Sequence, residues 1–252
     1  MIEIFILSLI QGITEFLPVS SSSHLILVSK FLNFENESLS IDVSLHVGSF
    51  MAVVVYFYKD ILSVFKNKIL FLKIFISSLP VMIFGFFLVE SGMIEKIRNL
   101  KIIAWTTLTF GILLYISDKF KLVKNISKNF TYKSAITIGF FQIFSLIPGV
   151  SRSGVAITAA RFLNFKRLDA AKISFLLSIP ILGAVSVFGI KNLILYEDTY
   201  LTKLNLISII LSFLSSLITI KYFLYYIKKF NLNVFVYYRT LLGLILLIIA
   251  YL

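Results

Sequence analysis

Long apolar stretches alternate with short polar segments along most of the chain. Six of them approach or reach the ~17–25 residues that a helix needs to cross a bilayer. The six predicted spans lie at about 43–58, 69–89, 102–116, 173–190, 204–222 and 234–252. The pattern therefore predicts an all-α polytopic membrane protein.

Two other apolar stretches are each interrupted by a proline and a cluster of serines. In the first, 4–34, the apolar run ends at Gln11, and Pro18 and four serines follow. In the second, 131–165, the break reads Pro148-Gly-Val-Ser-Arg-Ser-Gly154. Proline ends a helix, and irregular backbone at membrane depth is tolerated only where protein or a water-filled cavity covers it. Each stretch is therefore predicted to form a re-entrant helical hairpin.

The order of one hairpin followed by three spans occurs twice, and a shift of 131 residues superposes Ser20 on Ser151. We interpret the whole chain, 1–252, as a single integral membrane domain with repeats at about 1–117 and 131–252. Three intervening spans place the two hairpins on opposite faces of the membrane. The repeats are therefore predicted to be inverted, with both polar tips meeting near the bilayer midplane.

Composition agrees with this interpretation and excludes a soluble domain, because 59% of the residues are hydrophobic, 14% are charged and the mean hydropathy is +0.97. The net charge of +12 does not indicate nucleic-acid binding, since the basic residues lie in short segments between spans. Fourteen lysines and arginines lie on one side of the predicted membrane and six on the side from which the first hairpin enters. This bias predicts that the more basic side is cytoplasmic and that the first hairpin opens from the outer face.

The tip of the second hairpin carries Arg152, and an arginine at membrane depth is a candidate functional residue because its burial is costly. The hydroxyls of Ser151 and Ser153 and the guanidinium group all donate hydrogen bonds, and Gly154 allows close backbone approach. These residues are predicted to bind a phosphate group, with Gln142 as a weaker candidate. The alternative role for Arg152 is that of a structural cation bonded to carbonyls at helix ends.

The tip of the first hairpin supplies a carboxylate at Glu15, a histidine at His24 and four consecutive serines. Ser21 and His24 are three residues apart, so in a helix they share a face and His24 can take a proton from Ser21. Ser20 is an alternative nucleophile. Direct attack by water, with His24 or Glu15 as the base, is equally open.

Glu15 has three candidate roles at membrane depth, which are to bind a metal, to pair with Arg152 or to transfer protons. Mg²⁺ typically takes one or two carboxylates together with substrate oxygens, so Glu15 with Gln11 is the predicted metal site. His46 and Asp42 are second-tier candidates for which packing or loop roles are favoured.

Three further cations, Lys73, Arg161 and Arg239, lie near predicted span ends. They are interpreted as helix-end cations or as side chains that extend toward the membrane surface. Tyr238 is one of several tyrosines near span ends that fit an aromatic belt.

The segments Gln11-Gly-Ile-Thr-Glu-Phe-Leu-Pro-Val-Ser-Ser-Ser-Ser-His24 and Pro148-Gly-Val-Ser-Arg-Ser-Gly154 closely resemble the two signature motifs of the undecaprenyl-diphosphate phosphatase, or bacitracin-resistance, family. The resemblance extends to 45–56 and 174–180, so it covers essentially the whole chain. Many members have glutamate at the position of Gln11 and threonine at that of Ala156. Gln11 can bind a metal as a neutral ligand but cannot act as a base.

The resemblance implies hydrolysis of undecaprenyl diphosphate to undecaprenyl phosphate and inorganic phosphate, with Mg²⁺ or Ca²⁺ as cofactor. The implied site faces outward from the bacterial plasma membrane and recycles the carrier lipid of peptidoglycan synthesis, which confers bacitracin resistance. Glu15, Ser21, His24 and Arg152 fall on the family's catalytic residues. A polyprenyl-phosphate transporter or flippase is the alternative, because inverted repeats with broken helices are also a transporter plan. The sequence leaves the oligomeric state open, a homo-oligomer included.

Overall fold

The computed structural model of the chain describes residues 2–32, 39–195 and 199–252, and this part is helical apart from connecting turns and one isolated bridge between Lys124 and Phe165. The helices are α1 (Ile2–Thr14), α2 (Ser21–Leu32), α3 (Leu39–Tyr56), α4 (Tyr58–Lys66), α5 (Lys68–Glu90), α6 (Met93–Ile97), α7 (Leu100–Asp118), α8 (Ile126–Asn129), α9 (Tyr132–Ile143), α10 (Arg152–Phe162), α11 (Arg167–Leu195), α12 (Thr199–Lys229) and α13 (Asn233–Tyr251). A 3₁₀ turn, Phe144–Leu146, follows α9.

Five helices of the described ranges are long and apolar enough to cross a membrane. These are α5, α7 and α13 over their whole length, with Arg167–Val187 of α11 and Lys203–Lys229 of α12. They coincide with five of the six predicted spans, so the multi-pass helical membrane protein is confirmed. The remaining span, predicted at 43–58, corresponds to α3, which bends by 72° into α4 at Phe57.

Both predicted hairpins are present as pairs of short helices, α1 with α2 and α9 with α10. Each pair is joined by a proline-containing turn at the predicted break, around Pro18 in the first hairpin and Pro148 in the second. The end of the first predicted hairpin and the acidic segment after it, 33–37, lie outside the described residues. Because none of these short helices is long enough to span a bilayer, each pair brings its tip into the protein interior.

The helix order is compatible with an internal repeat, since two short helices followed by three long ones, α1, α2, α3, α5 and α7, precede a second such series, α9 to α13. The packing exchanges the two halves, because α1 packs on α12 whereas α9 packs on α5. Ser20 and Ser151, which the shift of 131 residues superposes, also share an unusual backbone conformation, with φ of 76° and 73°. The opposite orientation of the two repeats in the membrane stays a prediction.

The largest apolar core holds the first hairpin tip in place through a buried aromatic residue. Phe16, the residue after Glu15, is fully buried, and its ring lies edge-on against Phe175 of α11 with 5.3 Å between centroids. Phe175 in turn contacts Phe57 and Phe223. Aromatic burial of this kind dominates core energetics. It therefore anchors the tip, leaving the Glu15 side chain to face the second hairpin.

Candidate active site

The two hairpin tips meet, as predicted. Arg152 donates from Nη2 to Oε1 of Glu15 at 2.5 Å, and Ser153 donates from Oγ to the carbonyl oxygen of Leu17 at 2.7 Å. The tips also lie inside the predicted membrane. Thr106, which lies six residues or ~9 Å into α7, donates to the Pro148 carbonyl. Arg239, which contacts both tips, lies equally far into α13, and the two helices are predicted to begin on opposite sides of the membrane.

Each tip ends in a serine that begins the following helix. Ser151 has a positive φ, and its Oγ accepts a hydrogen bond from the Gly154 amide at 3.1 Å, which caps α10. Ser20 takes the same position before α2, and its Oγ lies 2.9 Å from that of Ser23. The positive ends of two helix dipoles therefore point toward the place where the tips meet, which favours an anion there.

A second arginine holds the two tips together. Arg239 of α13 is fully buried, and it donates to the carbonyls of Pro18 in one tip and of Gly149 and Val150 in the other at 2.8–3.1 Å. Its Nε donates to the carbonyl of Thr107 at 3.2 Å. The interpretation of Arg239 as a side chain reaching toward the membrane surface is therefore wrong. It takes the carbonyl-binding role that had been considered for Arg152.

Glu15 is the centre of the polar network at the tips and is only 6% exposed. Its Oε2 accepts from Ser21 Oγ at 2.7 Å and from Gln11 Nε2 at 3.1 Å. Gln11 Nε2 also lies 3.0 Å from Nδ1 of His46, which is itself 3.9 Å from Glu15 Oε2. Glu15, Ser21 and Arg152 are thus brought together as predicted, and His46 joins them although packing had been favoured for it.

Two polar atoms beside this carboxylate have no hydrogen-bond partner in the described part of the chain. They are Nη1 of Arg152 and Oε1 of Gln11, and both are buried. A buried donor or acceptor without a partner costs about 1–3 kcal/mol, and more when the group is charged. Such atoms beside an ion pair mark a place where a ligand would stabilise the protein. The Arg152 nitrogen is a cationic donor and suits an anion, whereas the Gln11 oxygen is a neutral acceptor and suits the cation that would accompany that anion.

The predicted pairing of Ser21 with His24 is wrong. Both ring nitrogens of His24 are engaged elsewhere, Nδ1 with the carbonyl of Ser20 at 2.6 Å and Nε2 with the hydroxyl of Tyr238. Because a carbonyl oxygen only accepts, Nδ1 carries the hydrogen and Nε2 of the neutral ring accepts from Tyr238. The proton acceptor beside Ser21 is Glu15.

The remaining predicted binding residues have mixed surroundings. The hydroxyls of Ser151 and Ser153 lie 3.2 Å apart at the start of α10, next to Arg152. A Cβ on Gly154 would lie 3.2 Å from Nη1 of Arg239, so a glycine there lets the Arg239 guanidinium group approach α10 closely. Gln142 is fully buried and donates to the Ser77 carbonyl on α5, so its observed contact is a packing contact.

The residues present offer few ligands for a metal. No group of three or more histidine, cysteine, aspartate or glutamate side chains is placed to hold an ion within the ranges that the structure describes. Glu15 and the partnerless Oε1 of Gln11 are nevertheless adjacent hard oxygen donors. This set fits Mg²⁺ or Ca²⁺ if most of its ligands come from water and substrate oxygens.

Sequence reasoning underrated three residues at this site. His46 lies in an apolar run of α3, where a lone histidine is itself a signal. Arg239 carried the same signal, as an arginine within a predicted span. Tyr238 had no distinguishing feature in the sequence, because it is one of several tyrosines near the ends of predicted spans.

Comparison of the sequence with known proteins places this chain in a family. The family model described as bacitracin resistance protein BacA matches residues 4–245. A protein of Pelagibacter ubique named undecaprenyl-diphosphatase is 52% identical over 251 residues, which cover 99% of this chain and 98% of the relative. Relatives of the same name from a Jannaschia and a Ruegeria species are 40% and 36% identical and cover 98% and 100% of the chain, and 98% and 99% of their own lengths. With matches of this extent, the chain belongs to the bacitracin resistance protein BacA family.

Proposed function

We propose that the protein is a membrane phosphatase that hydrolyses undecaprenyl diphosphate to undecaprenyl phosphate and inorganic phosphate. Relatives named undecaprenyl-diphosphatase at 52% and 40% identity support this reaction over lipid transport. The structural observation that carries the proposal is Arg152. Its guanidinium group pairs with buried Glu15 through one nitrogen, while another buried nitrogen has no partner among the described residues.

Arg152 binds the diphosphate in this proposal. The guanidinium group presents donors in the planar arrangement that matches phosphate oxygens. It stands at the first residue of α10, where the helix dipole adds positive potential, and the hydroxyls of Ser151 and Ser153 are beside it. The charge that develops on the phosphoryl oxygens in the transition state is thereby stabilised by groups already in position.

Ser21 is the nucleophile and Glu15 its base. The 2.7 Å hydrogen bond from Ser21 Oγ to Glu15 Oε2 gives the proton a direct acceptor. When the diphosphate takes up part of the charge on Arg152, Glu15 is freed to accept that proton. Ser21 Oγ then attacks the terminal phosphorus, the bond to the bridging oxygen breaks, and undecaprenyl phosphate leaves. Glu15 gives the accepted proton to the departing undecaprenyl phosphate and is a carboxylate again. It then takes a proton from a water molecule that attacks the phosphoserine, and return of that proton to Ser21 Oγ releases inorganic phosphate and restores the serine.

A divalent cation, Mg²⁺ or Ca²⁺, would be held by Glu15 and Gln11 and would neutralise negative charge on the diphosphate. His24 lies one turn after Ser21 on the same helix, and Tyr238 fixes its ring. We assign His24 to the catalytic group with Tyr238 as its positioning residue. Its Nδ1 donates to the Ser20 carbonyl, so proton exchange at Nε2 requires that the Tyr238 hydroxyl relay the proton or move away.

The lipid tail lies outside the site in this proposal. Large apolar side chains cover the outer faces of the spanning helices, as expected for contact with lipid. The polyprenyl chain would run between helices while the head group reaches the tips. The lysine bias supports an outward-facing site in a bacterial plasma membrane, where the product returns to peptidoglycan synthesis.

The test is release of inorganic phosphate from undecaprenyl diphosphate by the purified protein in detergent, where transport produces no signal. The variant Arg152→Ala is expected to lower turnover by ~10²–10³-fold, the usual effect of removing one charge-stabilising donor. Arg167→Ala is the matched control, because Arg167 also pairs with a buried carboxylate but is remote from the tips. A chelator is expected to abolish turnover reversibly. Full activity in Arg152→Ala would contradict the assigned role.

A further inference from the structure

A polar cavity of about 390 Å³ lies at the ends of α4, α5, α8 and α11, among residues that belong to neither hairpin tip. We call it the lysine cavity. Its charged lining consists of Asp60, Lys73, Lys128 and Lys172, and its uncharged polar lining of Ser63, Asn67 and Ser127. Three cations thus face one carboxylate, so the cavity carries a net positive charge.

None of these three lysines forms an ion pair among the described residues, and only one of them has a hydrogen-bond partner for its side chain. Lys73 is engaged, because its Nζ donates to the Phe130 carbonyl at 2.6 Å and lies over the Tyr132 ring. The side chains of Lys128 and Lys172 make no hydrogen bond or ion pair with any residue that the structure describes. Lys172 is partly buried, and Lys128 is exposed. The cavity is therefore complementary to an anion.

An apolar groove of about 260 Å³ adjoins the lysine cavity. The two share a wall made by Val64 of α4 and Leu176 of α11. The rest of the groove is lined by Ile61, Phe65, Phe71, Phe75, Ile179 and Pro180, among others that are also apolar. A cationic cavity that continues directly into an apolar groove matches a molecule with an anionic head and a hydrocarbon chain.

Helix α4 forms the boundary between the cavity and the groove. It turns 72° away from α3, and its apolar side chains face the groove while Asp60 and Ser63 face the cavity. A short amphipathic helix that leaves a span at this angle lies in the membrane interface, where lipid head groups and chains meet. The paired cavities are therefore at the depth at which a lipid could occupy both.

We propose that the lysine cavity and the apolar groove together bind one anionic phospholipid, with its phosphate on Lys128 and Lys172 and an acyl chain in the groove. This site is separate from the catalytic tips and does not depend on the proposed phosphatase activity. Basic cavities between membrane helices are suited to phosphate head groups, and each lysine near such a group strengthens binding.

The test is lipid retention by the full-length protein in neutral detergent, measured by native mass spectrometry during titration with phosphatidylglycerol. The double variant Lys128→Gln/Lys172→Gln is expected to weaken retention by about tenfold or more. The control Lys59→Gln/Lys66→Gln removes the same charge from exposed lysines of α4 that do not line the cavity, and it is expected to stay within about twofold of the parent. Unfolding temperatures of both variants verify that each is folded.

Three results would overturn the proposal. Equal losses in the cavity and control variants would mean that only general surface charge attracts the lipid. Equal retention of phosphatidylcholine, which has no net charge, would remove the role of the lysines. If glycerol phosphate displaced bound phosphatidylglycerol as effectively as added phosphatidylglycerol does, the site would bind an anion without a chain in the groove.

Discussion

Glu15 and Asp118 are both buried carboxylates paired with arginine, but their surroundings differ. Asp118, at the end of α7, accepts through Oδ1 from Arg161 and Arg167 at 3.3 and 2.7 Å, and through Oδ2 from the Leu232 amide at 3.1 Å. Arg161 is fully buried, and its remaining donors reach the carbonyls of Lys121, Phe165, Phe120 and Asp118 itself. Every nitrogen of its guanidinium group therefore has a partner.

The Glu15 cluster leaves a buried nitrogen of Arg152 and a buried oxygen of Gln11 without partners in the described structure. The comparison teaches how to separate a structural ion pair from a site of chemistry in a membrane protein. We call a cluster saturated when each of its buried polar atoms has a hydrogen-bond partner. The saturated cluster of Asp118 joins the ends of α7, α10, α11 and α13. An incompletely saturated cluster is costly on its own, and a ligand repays that cost.

The largest expected effect is that of Ser21→Ala, which tests whether the unsaturated cluster contains the nucleophile. Turnover is expected to fall by more than ~10³-fold, because the attacking oxygen is removed while substrate binding remains. The measurement is phosphate release at saturating substrate. Ser22→Ala is the control, since Ser22 is exposed and one residue away. Turnover of Ser21→Ala within tenfold of the parent would instead support direct attack by water.

Arg161→Met breaks the saturated cluster and is expected to act on stability. Removing one partner of a buried pair typically costs about 3–5 kcal/mol, because the other charge stays buried. Denaturant unfolding in detergent measures the loss. Turnover per folded molecule is expected to be unchanged, and a fully active, fully stable variant would show that the Asp118 cluster does not hold the helices.

The smallest expected effect is that of Tyr238→Phe, which removes the hydroxyl bound to His24 and keeps the ring. One neutral hydrogen bond contributes about 0.5–1.5 kcal/mol, so a two- to tenfold decrease in kcat is expected. Tyr237→Phe is the control, because Tyr237 is the neighbouring exposed tyrosine. A shift in the pH profile of kcat, seen in Tyr238→Phe and not in the control, distinguishes positioning of His24 from loss of packing.

Local signals in the sequence predicted most of the fold. Apolar length identified five spanning helices, and proline with serine clusters located both hairpin breaks. The bend at Phe57 was not predictable, because the residues around it, Tyr56 and Tyr58, include no proline or glycine. Its cause lies in tertiary packing, since Phe57 is buried against Phe175 of α11.

The candidate site was predicted where charge at membrane depth is expensive, as for Glu15 and Arg152. The partner of His24 was not predictable, because Tyr238 lies 214 residues away and only packing brings the two together. Arg239 carried a signal, as an arginine within an apolar span, but the carbonyls that it binds lie on both tips and only packing brings them to it. The opposite orientation of the repeats and the bound metal stay predictions.

The most direct measurement compares Glu15→Gln with Asp118→Asn, which change each carboxylate to the amide of the same shape. Phosphate release per folded molecule and unfolding temperature are measured for both variants. Glu15→Gln is expected to lower turnover by ~10²–10⁴-fold, as for loss of a general base, with the smaller change in unfolding temperature. Asp118→Asn is expected to lower the unfolding temperature and to keep turnover. Normal turnover in Glu15→Gln, or abolished turnover in a stable Asp118→Asn, would contradict the assignment of chemistry to the unsaturated cluster.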